Sequence, residues 1–121
     1  MRFAVKLAGH IVGFSELEQG DAPMGVAFGK FIPTAAYGAI QPYCLVKQGE
    51  YSGVTGLTAE MEGGEQIECS GGVHIMDFSA ELGEPAIEVT VNGIPYPRYG
   101  EIFPQHVNAY NKLFPPTSGD E

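Results

Sequence analysis

The chain half repeats itself. Residues His10–Ser15 read HIVGFS and His74–Ser79 read HIMDFS, identical at four of six positions with a shift of 64. Pro23, Ile32, Pro33, Tyr37, Gly38, Ile40 and Pro42 recur as Pro85, Ile94, Pro95, Tyr99, Gly100, Ile102 and Pro104 with a shift of 62. The order of the matches is kept throughout. Such a pattern points to a duplicated unit and therefore to an internal pseudo-twofold fold. A unit of about 60 residues buries too little surface to be comfortable alone, so the halves are expected to share one core. The reading is a single domain over 1–121. Its first half covers about 1–47, a polar junction about 48–56, the second half about 57–114, and a frayed polar tail 115–121.

Seventeen glycines and nine prolines argue against long helices. Phe3, Val5 and Leu7 alternate with Ala4 and Lys6, which is strand spacing, and Ala8-Gly9 permits a bend into a second strand near Ile11–Leu17. Val26–Ile32 reads as a strand interrupted by Gly29. Thr34–Tyr43 has room for a short helix capped by Thr34, and Cys44–Val46 for a short strand. Leu57–Glu62 and Glu65–Ser70 flank Gly63-Gly64, a two-residue hairpin signal. Ala86–Val91 is a further strand, followed by Asn92-Gly93, a type I′ turn pair. Pro104–Phe114 is the one good helix candidate, with Val107, Tyr110 and Phe114 as an apolar stripe. The expected fold is mainly β with an α+β margin: a compact barrel or sandwich of two related halves, with a short helix around 104–114.

Net charge is −9, from fifteen acidic and six basic residues. That balance disfavours direct contact with nucleic-acid phosphates or anionic membranes and suits a basic protein partner. No apolar run approaches the roughly 20 residues that span a bilayer. The basic, apolar start MRFAVKLAGHIVGF is interrupted by Lys6, Gly9 and His10 and aligns with internal sequence, so it reads as folded protein rather than a leader. Cys44 and Cys69 occupy non-equivalent repeat positions and read as free thiols in a reducing cytoplasm rather than a disulfide.

The glycines form neither a P-loop nor a GxGxxG frame, and the aromatics are not interleaved with cations as a nucleic-acid stacking surface requires. Ser15 and Ser79 lack the GxSxG turn of a nucleophile elbow. No catalytic signature is legible, and the leaning is away from an enzyme. In the 57–70 hairpin, Glu60, Glu62 and Glu68 should point outward from an apolar face. Glu16, Glu18 and Asp21 form a second acidic cluster. These six carboxylates are the candidate partner-binding residues of a non-catalytic acidic module, acting as an inhibitor or immunity-like factor.

A small metal- or ligand-binding enzyme is the alternative, with its site between the halves. His10 and His74 are repeat-equivalent, and the same shift pairs Cys44 with His106, which makes these four a conceivable ligand set for a divalent metal. The CxxC and HxxxH spacings of readable zinc sites are missing, so no cofactor is the expectation. A second alternative is a structural subunit of a larger assembly such as a phage particle, and the pattern also permits a homo-oligomer.

Overall fold

A computed structural model describes residues 1–115. Among them the chain builds two four-stranded antiparallel sheets and a few short helices. Strand β1 (Phe3–Leu7) turns into β2 (His10–Ser15) at Ala8 and Gly9, whose φ angles are +51° and +84°. Two successive positive φ angles give the turn the hand that matches strand twist. A bulge at Val5/Lys6 leaves Val12 without a partner in the ladder and rotates it into the core beside Phe3 and Val5. β6 (Leu57–Glu60) pairs with the other side of β1, and β5 (Ile32–Pro33) pairs with β2. The first sheet is therefore ordered β5-β2-β1-β6.

The second sheet is ordered β3-β4-β8-β7, from β3 (Gln19–Asp21), β4 (Val26–Lys30), β8 (Ile87–Asn92) and β7 (Gly72–Asp77). The chain crosses between the sheets at Glu16–Glu18 and again at Phe31. One core joins them: Phe3, Val5, Val12, Leu57 and Ala59 from the first sheet meet Ala27, Val73, Ile75, Val89 and Val91 from the second. Neither sheet closes on itself, so the barrel alternative does not hold.

Three local expectations change. Asn92-Gly93 does not reverse the chain: Ile94 donates its N–H to Gly25, while Ser70 and Gly71 donate to Gly93 and Asn92. β8 already has a neighbour on each side, so a hairpin return strand has no free edge to occupy. The turn after β6 runs through Glu62-Gly63-Gly64, and only Gly64 takes positive φ, at +93°. The Met61 N–H reaches Glu65 and the Ile67 N–H reaches Ala59, after which the return arm leaves the ladder. Thr34 does not cap its turn; its hydroxyl donates to the Ile11 carbonyl, and a 3-10 turn (Ala35–Ala39) leads into α1 (Gln41–Cys44). Cys44 thus ends a helix, and only Leu45 forms a bridge, parallel to Asp77.

The second half adds α2 (Ser79–Leu82), α3 (Arg98–Ile102) and α4 (Pro104–Leu113). Pro104 supplies a first-turn residue with no N–H to satisfy. The stripe on α4 faces the core only at Val107. His106 is the buried residue of this helix and Val107 is half-buried, while Tyr110 and Phe114 are exposed. Both cysteines are free. Of the tail expected at 115–121, residues 116–121 lie outside the described residues.

Candidate functional site

The acidic crossover between the sheets is built around Leu17. Glu16 and Glu18 flank it and are exposed, while Leu17 itself is buried. Leu17 adopts φ +45°, a left-handed conformation that a bulky side chain enters only when its surroundings compel it. Three contacts do so. The Leu17 N–H donates to the Ser15 hydroxyl at 3.0 Å. The Leu17 carbonyl accepts from His106 Nε2 at 2.8 Å. The Glu18 carboxylate accepts the Lys30 N–H at 2.9 Å. The imidazole of His106 in turn stacks on Phe103, with ring centroids 5.0 Å apart. The crossover is thereby pinned to α4.

The six candidate carboxylates divide into two groups. On the hairpin, Glu60 pairs with Lys6 at 3.1 Å, and Glu62 accepts the Arg2 N–H at 3.3 Å. Neighbouring Glu65 pairs with Arg98 at 2.6 Å. Glu68 is exposed. On the crossover and β3, Glu16 and Asp21 are exposed, and no ion pair involves them among the described residues. Glu60 and Glu62 are thus engaged within the chain and Glu18 by the Lys30 N–H, while Glu16, Asp21 and Glu68 have no ion pair among the described residues.

A groove of about 600 Å³ lies between β3 and α4, lined by Glu18, Asp21, Phe28, Tyr110, Leu113 and Phe114 among others. Its lining is mostly apolar, with Glu18 and Asp21 as its acidic members; the Glu18 carboxylate lies over Gly29, where it accepts the Lys30 N–H. Leu113 is 75% exposed and Phe114 61%, and the Tyr110 and Phe114 rings sit 5.0 Å apart.

The proposed ligand set does not assemble. Among the described residues no group of three or more His, Cys, Asp or Glu side chains is placed to hold a metal. His10 opens β2 in the first sheet and is exposed. His74 lies on β7 in the second, its Nε2 donating to the Gly71 carbonyl at 3.0 Å. His106 is committed to Leu17, and Cys44 is fully buried. Burial pushes the Cys44 thiol above its ordinary range, as it does for Cys69, which opposes the thiolate form that metals and electrophiles require.

Tyr37, Gln41 and Ser79 form a polar cluster around Asp77, a grouping that the sequence pattern did not assemble. This carboxylate is 0% exposed. It accepts from the Tyr37 hydroxyl at 2.6 Å, from Gln41 Nε2 at 3.2 Å and from the Ser79 N–H at 2.9 Å. Burial alone would push its pKa up, but the hydrogen bonds from Ser79, Tyr37 and Gln41 prevail and hold it below the usual carboxylate value. The Tyr37 hydroxyl is driven the other way, by burial and by the adjoining carboxylate. The cluster ties the end of β7 to the 3-10 turn and α1. Within it Asp77 and Cys44 are sealed from solvent, while Gln41 is half-buried. A signal did exist: Val73, Ile75 and Asp77 fall at period two on one strand face.

No protein-family model matches the chain, and neither a curated protein nor a solved structure is significantly similar to it. No described helix is long and apolar enough to cross a membrane.

Proposed function

We propose that this protein is a non-catalytic acidic binding module that engages a basic protein partner. One observation carries the reading: among the described residues Glu16, on the crossover, and Asp21, at the end of β3, are exposed with no cation paired to them, while Glu60 and Glu65 pair with Lys6 and Arg98 and Glu62 accepts the Arg2 backbone N–H. Unpaired exposed carboxylates on a chain of net charge −9 attract a cationic surface over about a Debye length, roughly 10 Å at 0.1 M salt. Internally paired ones would first have to give up their partners. The contact surface is therefore centred on Glu16 and Asp21, with Glu18, whose carboxylate already accepts the Lys30 N–H, and the hairpin set Glu60, Glu62 and Glu68 secondary.

A partner retained from extract by the immobilised chain should elute at moderate salt. A chain carrying Glu16→Gln and Asp21→Asn should lose it, and one carrying Glu60→Gln and Glu62→Gln should keep it. Retention that ignores salt, or no retained protein, removes the reading.

The same reading includes an origin by duplication. Its support is that Tyr37 and Tyr99 are both buried and that Pro42 and Pro104 each fall in the first turn of a helix. Relatives of this chain should keep the matched pairs at shifts of 62 and 64; pairs that dissolve in relatives count against it.

A further inference from the structure

The end of α4 presents Tyr110 and Leu113, and Phe114 just beyond it, to solvent beside Phe28, with Asp21 on β3 and Glu18 on the preceding crossover also lining the groove. An apolar strip of this kind on a helix normally faces a core, and large exposed apolar patches mark interaction sites. Resting on the binding-module reading above, we infer that this groove is the docking site for a basic amphipathic segment of the partner, which inserts one large apolar side chain over Phe28, Tyr110 and Leu113 while its flanking Lys or Arg residues meet Glu18 and Asp21.

Charge and side-chain size favour that occupant over two others. A second copy of the chain would bring a second Glu18–Asp21 rim and another nine net negative charges against the first. The chain's own residues 116–121 read PTSGDE, with two carboxylates and no large apolar side chain to fill the floor. A cationic segment is opposed by one helix residue alone, Lys112, the single Lys or Arg on α4. The geometry also explains why His106 holds Leu17. That hydrogen bond sets the helix and the acidic crossover side by side, so apolar floor and charged rim form one surface.

Two dye-labelled peptides of equal charge test this by fluorescence anisotropy at low and raised salt: Lys-Lys-Gly-Ser-Lys-Lys, and Lys-Lys-Trp-Leu-Lys-Lys. The expected result is that the mixed peptide binds about tenfold more tightly, the return on burying a large apolar side chain. In Leu113→Ser/Phe114→Ser, two exposed positions whose change should leave the fold intact, with circular dichroism as the check, the two peptides should bind alike. In Asp21→Asn both should weaken. Equal affinity of the two peptides for the unaltered chain overturns the groove but leaves the acidic module standing. Salt-independent binding, or none, overturns both. Concentration-dependent dimerisation that Leu113→Ser abolishes would assign the groove to a second copy and overturn the proposal.

Discussion

Tyr37→Phe isolates the Asp77 cluster. The change deletes one oxygen and no carbon, so packing is preserved and only the 2.6 Å bond from the Tyr37 hydroxyl is lost. Asp77 then keeps the Ser79 N–H at 2.9 Å and the longer Gln41 contact at 3.2 Å. Because its carboxylate is 0% exposed, no water replaces the lost donor. A hydrogen bond to a buried charge contributes about 1.5–3 kcal/mol. Tyr96→Phe is the matched control: its hydroxyl donates at 2.6 Å to the Ala22 carbonyl, a neutral acceptor, from a residue that is 53% exposed. That loss should cost about 0.5–1.5 kcal/mol. At about 4 °C per kcal/mol for a chain of this size, Tm should fall by about 6–12 °C in Tyr37→Phe and about 2–6 °C in Tyr96→Phe. Scanning calorimetry across pH adds a second reading. The folded Asp77 pKa lies below its unfolded value of about 3.9. Its contribution is therefore present above that pH and is lost as pH falls through the folded value. The deficit of Tyr37→Phe should accordingly be full at neutral pH and shrink in strong acid. Equal losses in the two variants, or a deficit that does not change with pH, would refute a charged Asp77 held by Tyr37.

The remaining predictions concern packing and alkaline stability. A Cβ on Gly20 would come within 2.5 Å of the Tyr99 hydroxyl and 2.7 Å of the His106 ring, so Gly20→Ala should destabilise by about 1–3 kcal/mol in urea unfolding. Phe103, fully buried with ring centroids 5.4 Å from Phe3 and 5.3 Å from Tyr99, should cost about 3–5 kcal/mol on replacement by Ala, read from the same unfolding curves. Burial raises the pKa of Tyr37 and Tyr99, so their contribution is complete below the unfolded value near 10 and is lost as pH rises beyond it. Their tyrosinate absorbance should appear only together with unfolding.

What the sequence made legible was local. The β1–β2 hairpin follows from alternation plus a glycine at the turn, and α4 from Pro104 at its start and Pro115-Pro116 beyond its end. The illegible parts depend on what else is present in three dimensions. Asn92-Gly93 has hairpin chemistry, yet β8 lies between β4 and β7 and leaves no edge for a return strand. The periodicity of α4 said which residues share a face, not whether anything covers it. Leu17 sits between two glutamates with no repeating pattern to mark it, although its burial and its bond to His106 organise the candidate surface. His106 itself read as a conceivable metal ligand because spacing does not reveal that a backbone carbonyl waits 2.8 Å away. Asp77 was readable by alternation, but a carboxylate on an inward face defies the rule that charges face water unless three donors converge on it.

Titration of hexalysine against three chains at several salt concentrations tests the acidic-module reading most directly: the unaltered protein, Glu16→Gln/Asp21→Asn, and Glu60→Gln/Glu62→Gln. Neutralising the crossover pair should weaken binding and flatten its dependence on salt, with the hairpin variant close to the unaltered chain. If the hairpin variant suffers the larger loss, or all three chains behave alike, the surface assigned to Glu16 and Asp21 is not where this protein meets a basic partner.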